Sequence, residues 1–241
     1  MNVLKIIITF TKVDIINTLK VNRKLPLKQF VKFPIWIYRG HVDCLKGFIK
    51  IDNDCITTGM IRLGLKTSGM CGAHNGINLD IKGGVIFKGP GYMGNNSVIE
   101  CGANGVITFG KNFGITGLFR IASRRRITIG DNFSSSWNVG VYDTDFHNMV
   151  KTDTNQTLEG NKKVEIGDDC WLCQNVTVLK GTVLPRRTTV SCMSLVNKDF
   201  KEENTILAGL PAKIVKRNTT REEFINFEKQ PINNIIKYLC L

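Results

Sequence analysis

A chain of 241 residues with 42% hydrophobic and 22% charged residues has the composition of a folded globular protein. Its 33 Lys and Arg against 20 Asp and Glu leave a formal net charge of +13, which suits anionic partners: phosphates, acidic sugars or a membrane surface. No stretch approaches the ~18 uninterrupted apolar residues of a spanning helix, and the cations are not interleaved with stacking aromatics, so nucleic acid is not expected.

Residues 1–40 read as a short N-terminal segment. Its start, MNVLKIIITFTKVDIINTLKVNRK, has no long apolar core and no small-residue cleavage site, so no secretory signal is read there. VDIINTLK has helical spacing, and KFPIWIYRG reads as extended after Pro34. Residues 41–206 carry repeats. Ile166, Leu172, Val178, Leu184, Val190 and Val196 lie six apart without a break. Phe87, Met93 and Ile99 keep the same period, as do Phe109, Ile115 and Ile121. Ile129 and Val141 are two periods apart, with Ser135 between. Six is neither the 3.6 of a helix nor the 2 of a strand. It marks a flat wall repeated after every turn of the chain, a parallel β-helix built from hexapeptides. Strands of a sandwich recur at about 8–12 residues instead.

Four residues after each member of the long run comes Cys170, Val176, Thr182, Thr188 or Ser194, small or β-branched, and then Phe200 where the pattern stops. Gly64, Gly94, Gly110, Gly130 and Gly167 each follow an apolar residue, where a tight turn with positive φ is expected. Residues 148–163, NMVKTDTNQTLEGNKK, break the period and form an excursion loop, a common place for a site. Arg124-Arg125-Arg126, the tightest basic cluster, reads as a solvated turn between coils. Residues 207–241 form a Gly/Pro turn, LAGLPAKIV, and a helix in TTREEFINFEKQ with Thr219 or Thr220 as N-cap, placed to cap the open coil.

The eight Cys are scattered and read as reduced thiols. Cys170 and Cys173 form a CxxC, but Cys170 falls on the small-residue position of the hexad, which favours packing over zinc or redox chemistry. Of the three histidines, His41, His74 and His147, the last has a loaded context: Tyr142-Asp143-Thr144-Asp145-Phe146-His147. In an extended stretch Asp143, Asp145 and His147 share a face. An imidazole beside a carboxylate has a fixed tautomer and serves as a general base near neutral pH. The histidines are too far apart in the chain to suggest a metal cluster, and none is expected.

The stretch VEIGDDCWLCQNVTVLKGTVLPRRTTVSCMSLVNKDFKEENTILAGLPAKIVK, with the VYDTDFH segment before it, resembles the hexapeptide acyltransferases, in the branch of the maltose, galactoside and capsular-polysaccharide O-acetyltransferases. The likeness covers about residues 105–216. It implies a left-handed parallel β-helix, an exception to the right-handed crossover preference, and a homotrimer with acetyl-CoA in the groove between subunits. It also implies transfer of acetyl to a sugar hydroxyl of a glycan or its precursor, in the cytoplasm. On this resemblance His147 is the general base and the Gln174 N–H stabilises the oxyanion. Asp143, Asp145 and Trp137 serve the acceptor. Trp171 packs along the pantetheine arm. Cys192, Asn197 and Lys198 line the CoA groove, and Lys213 and Lys216 meet its nucleotide end. The basic charge also suits peripheral contact with a membrane.

The sequence departs from the family at Leu172-Cys173-Gln174, Leu184-Pro185 and Ser191-Cys192-Met193. Near Thr116 it lacks the asparagine that galactoside acetyltransferases present to the acceptor, so the acceptor stays open. N-acetylation of an amino sugar or antibiotic, and a non-catalytic β-helix scaffold, are the alternatives.

Overall fold

The computed structural model describes residues 13–73 and 75–227, with the side chains of 225–227 excepted. The repeats wind into coils of three strands each. Coil 1 comprises β1 (Ile35–Ile37), β2 (Gly40–Leu45) and β3 (Phe48–Ile51); coil 2, β4 (Ile61–Leu65), β5 (Ile77–Ile81) and β6 (Gly84–Phe87). Coil 3 comprises β7 (Gly91–Gly94), β8 (Ser97–Cys101) and β9 (Val106–Phe109); coil 4, β10 (Phe113–Gly117), β11 (Arg120–Ser123) and β12 (Ile127–Ile129). Coil 5 comprises β13 (Ser134–Trp137), β14 (Gly140–Tyr142) and β15 (Val164–Ile166); coil 6, β16 (Trp171–Leu172), β17 (Thr177–Val178) and β18 (Val183–Leu184). β19 (Thr189–Val190), β20 (Leu195–Val196) and β21 (Ile206–Gly209) follow, and β22 (Ala212–Lys216) ends the array.

First strands stack on first, second on second and third on third, giving a nine-stranded wall I, a seven-stranded wall II and a six-stranded wall III. Among the described strands every pairing is parallel except β21 with β22. The fold is the parallel β-helix expected from the period, with the left hand that the family resemblance implies. The register explains the sixes. Met93, Ile115, Ser135, Leu172 and Val190 form one inward column on wall I. Ile99, Ile121, Val141, Val178 and Val196 form the column of wall II, and Phe87, Phe109, Ile129, Ile166 and Leu184 that of wall III. All the apolar members are buried, and Phe87 stacks on Phe109 at 5.4 Å. Burying such side chains is worth about 1.5–3 kcal/mol each before chain entropy is counted. Ser135 is the polar exception, with a buried Oγ that has no hydrogen-bond partner among the described residues.

The corners obey two rules. Where walls I and II meet, Asn96, Leu118, Asn138, Asn175 and Met193 take positive φ. Where walls III and I meet, Asn112, Asn132, Asp169 and Arg187 do. Asn tolerates that conformation best among residues with a Cβ, and its side chains form ladders: Asn112 donates to Asn132 at 3.1 Å, Asn132 to Asp169 at 2.9 Å and Asn138 to Asn175 at 2.6 Å. The glycines do other work than expected. Of the five flagged by sequence only Gly64 has positive φ. The others are required because coils approach too closely for a Cβ: one on Gly130 would lie 2.6 Å from the Gly167 carbonyl carbon, and one on Gly94 would lie 1.7 Å from the Thr116 carbonyl oxygen. Pro185 follows β18, the last strand of wall III, beyond which the wall continues as an isolated bridge from Val183 to Asp199. Its missing N–H interrupts no ladder between strands.

Each end carries a covering element. Helix α1 (Ile15–Asn22) is capped by Asp14, whose carboxylate accepts the Asn17 N–H at 3.0 Å. Its inner face ties to the open edge of β1: Asn22 exchanges hydrogen bonds with Ile35, and Thr18 Oγ1 accepts the Ile37 N–H at 3.0 Å. A short helix α2 (Leu27–Phe30) follows. At the other end, antiparallel β22 covers the edge of wall I. The described part of the C-terminal helix, α3 (Glu222–Phe227), follows β22. It begins three residues after Thr219, and the chain before it folds onto the outer face of wall I. The remainder of the expected C-terminal helix lies outside the described residues.

Candidate active site

The excursion expected at 148–163 leaves wall II directly after β14 and returns at β15. It is a hairpin arm. Thr144 bridges Asn161 and Val150 bridges Thr157 in antiparallel fashion, and the Leu158 N–H reaches the Met149 carbonyl at 2.7 Å. His147 lies exposed on the outgoing strand. Phe146, Met149, Val150 and Leu158 around it are also exposed, by 42–57%.

Asp143 does not share a face with His147. Its side chain is fully buried, and three donors hold its two oxygens: Ser123 Oγ at 2.7 Å, the Arg124 N–H at 2.7 Å and the Arg125 N–H at 2.9 Å. These donors hold the carboxylate inside the corner of coil 4, without exposure, so the expectation that Asp143 orients the imidazole or holds the acceptor is corrected. The alternation fails because Phe146 takes positive φ, which turns the chain just before His147. Asp145 is exposed and pairs with Lys180 of the next coil at 2.5 Å; Lys180 also donates to the Glu159 carbonyl at 2.7 Å.

The arginine triplet is not a bare solvated turn either. Arg124 pairs with Glu100 and lies over the Phe146 ring at 5.6 Å, and Arg125 pairs with Glu159 at 2.5 Å. Both ends of the arm are thus clamped to the solenoid. Burial pushes the Tyr142 hydroxyl pKa up, partly opposed by the Arg120 charge, so the ring that meets Phe146 edge-on stays neutral.

A second group of residues gathers at the corner between walls I and II. Register places Trp137, Gln174 and Cys192 in one column, each two residues past an inward residue of wall I. The Asn175 N–H reaches the Trp137 carbonyl, and the Met193 N–H the Gln174 carbonyl at 3.0 Å. The Gln174 N–H itself has no acceptor among the described residues. Cys173 is buried beside this column. Its thiol is pushed up to about 12, by burial first and then by the neighbouring Cys192 thiol. Cys170 is fully buried and donates to the Pro185 carbonyl at 3.2 Å, a packing and hydrogen-bonding role.

Trp171 lies on the outer face of wall I. One face of its ring is taken by Arg221 at 4.6 Å, which also donates to Ser134 Oγ at 2.6 Å and pairs with Glu223. Sequence reasoning missed Arg221, Ser123 and Lys180. Arg221 is 87 residues from Ser134, and no local pattern announces such a contact. Asn197 and Lys198 are exposed at the corner of walls II and III, the corner from which the His147 arm leaves, with Lys198 over Phe200 at 5.1 Å. Lys213 and Lys216 are exposed on β22. Within one chain, therefore, His147, Asp145, Asn197 and Lys198 share one corner, and Trp137, Gln174 and Cys192 share another. His41 lies four coils from the arm in β2, and His74 lies outside the described residues. Among the described residues no three His, Cys, Asp or Glu side chains gather as a metal site.

No family model matches the chain. It is 32% identical over 155 residues to "Putative lipopolysaccharide biosynthesis O-acetyl transferase WbbJ" of Escherichia coli, a match covering 55% of this chain and 78% of that protein. It is 30% identical over 145 residues to "Putative acetyltransferase YJL218W" of Saccharomyces cerevisiae, covering 58% and 73%. The crystal structure of the polySia specific acetyltransferase NeuO shares its fold, with a TM-score of 0.50 at 21% identity over 76% of this chain and 82% of that one.

Proposed function

The chain belongs to the hexapeptide-repeat acetyltransferases, and from that premise we propose an acetyl-CoA-dependent O-acetyltransferase that acts on a sugar hydroxyl of a glycan or glycan precursor in the cytoplasm. The observation that carries this reading is the clamped arm that holds an exposed imidazole, His147, away from the solenoid. The lipopolysaccharide named for the bacterial relative supports a glycan acceptor.

In this mechanism His147 takes the proton of the acceptor hydroxyl as that oxygen attacks the thioester carbonyl. The new C–O bond forms, the C–S bond breaks, and the proton passes from His147 to the leaving thiolate of CoA. The Gln174 N–H, free of any described acceptor, donates to the oxygen that becomes negative, a contribution of about 3 kcal/mol for one such donor. The residues present fit the co-substrate. Trp171 keeps part of its indole uncovered for the pantetheine arm, and Cys192 is exposed for the groove. Asn197 and Lys198 supply exposed polar and basic groups along the CoA groove, and Lys213 and Lys216 supply exposed cations for its nucleotide end. Trp137 and Asp145 serve the acceptor.

His147 and Gln174 belong to different corners of one chain, which supports a site assembled from two copies, in the homotrimer that the resemblance implies. The exposed Phe146, Met149, Val150 and Leu158 on the arm give a second copy an apolar surface to cover.

The test is to incubate the protein with acetyl-CoA and a panel of oligosaccharides while reading free CoA thiol and analysing the product. Thiol release with an alkali-labile acetyl ester supports the reading. An alkali-stable amide on an amino sugar makes it an N-acetyltransferase. No release, and no thermal shift with millimolar CoA, makes it a scaffold.

A further inference from the structure

The N-terminal cap has two faces with different duties. The inner face of α1 buries Thr18, Val21 and Asn22 and satisfies the open edge of β1 through the bonds from Asn22 and Thr18. Such a cap needs nothing more than a polar outer face to keep the solenoid soluble. The outer face is not of that kind. Ile15 is 63% exposed, Ile16 67%, Leu27 75% and Val31 62%. Around them Lys20, Arg23, Lys24, Lys28 and Lys32 are all exposed. Between residues 13 and 42 the only acidic residue is Asp14, and its carboxylate is engaged in capping α1. Asp52, on the loop beside α2, is paired with Lys50 at 2.7 Å.

We propose that this face of α1, α2 and the turn between them docks on an anionic lipid bilayer, with Ile15, Ile16, Leu27 and Val31 entering the headgroup boundary and the five cations meeting lipid phosphates. Aliphatic side chains set among cations on a short helical surface are what an interfacial anchor requires. Charge complementarity selects the occupant. A second copy docking through the same face would bring five cations against five more. A nucleic acid would use the cations and leave four large aliphatic side chains in water. The sequence just ahead of α1, MNVLKIIITFTK, carries the same two kinds of residue and no acid. The corner that carries the His147 arm runs along the same solenoid, several coils from this end, so the docking would leave the proposed site open to a glycan near the surface. The inference does not depend on the reaction.

The test uses the full chain and co-sedimentation with vesicles of phosphatidylcholine and phosphatidylglycerol mixed at roughly two to one, against pure phosphatidylcholine. The wild type should sediment with the anionic vesicles, remain in solution with the neutral ones, and be released by high salt. The variant Lys20→Gln/Lys24→Gln/Lys28→Gln and the variant Leu27→Ser/Val31→Ser should each bind about tenfold more weakly. All five positions are exposed, so both variants should keep the wild-type melting temperature, which identifies any folding failure. Four results would overturn the proposal: no sedimentation with anionic vesicles; equal binding to neutral ones; unchanged binding by Leu27→Ser/Val31→Ser; or displacement of the vesicles by a short DNA duplex at equal phosphate. A loss of oligomer mass on Leu27→Ser/Val31→Ser without vesicles would also overturn it, by assigning the face to another copy.

Discussion

The Asp143 carboxylate accepts from Ser123, Arg124 and Arg125 in a site without exposure. An amide there would turn an NH₂ group toward one of three donors. Asp143→Asn should therefore destabilise the protein by about 2–3 kcal/mol in urea unfolding, and should sensitise residues 144–161 to protease; unchanged stability would contradict the role. The buried thiols make a pH prediction. Burial pushes Cys170 and Cys173 up to about 12 and Cys101 to about 11, against an ordinary value of 9.0. The unfolded chain then loses these protons before the folded one does. Their stabilisation is fully present below about pH 9 and is lost as pH rises from there toward 11–12. The melting temperature should fall steadily above pH 9, and iodoacetamide at pH 8 should modify exposed Cys55 and Cys192 while sparing Cys101 and Cys170. At this scale the sequence was a poor guide to partners. Alternation assumes an extended chain, and nothing about a phenylalanine announces the positive φ at Phe146 that parts Asp143 from His147.

The element scale was far more legible. A period of six states which residues point inward, and the three columns contain those residues. The period cannot say what holds the corners, because that depends on contacts between coils about 20 residues apart. The glycines expected to turn the chain instead make room for the next coil, and the turning is done mostly by Asn. Met193 stands at the end of the Asn138–Asn175 ladder, where its sulfur accepts from Asn175 at 3.1 Å, and it carries φ of 59° without a side chain suited to it. Met193→Asn should extend the ladder and stabilise the protein by about 0.5–1 kcal/mol, read as a higher urea midpoint with unchanged slope. A lower midpoint would mean that the thioether packing outweighs the backbone preference.

For the whole molecule, the fold and the family resemblance were both readable from the period and its flanking motifs, whereas the completeness of the site was not. A repeat pattern reports how coils stack and is silent on which copies meet. The base and the oxyanion donor of the proposed reaction stand on separate corners, with His147 on an arm whose apolar side chains are exposed. If two copies build each site, a chain lacking His147 and a chain lacking the wall I contribution can each supply what the other lacks. His147→Ala and Trp171→Ala proteins, each nearly inactive alone, should regain part of the wild-type rate when unfolded and refolded together; a mixture no faster than its parts would confine the site to one chain. The most direct measurement is acetyl transfer by His147→Ala itself, followed as free CoA thiol with a responsive glycan acceptor. His147 is exposed, so the account predicts an unchanged melting temperature and a kcat lower by about 10²- to 10⁴-fold, with little change in KM for acetyl-CoA. A variant that turns over at the wild-type rate would contradict it.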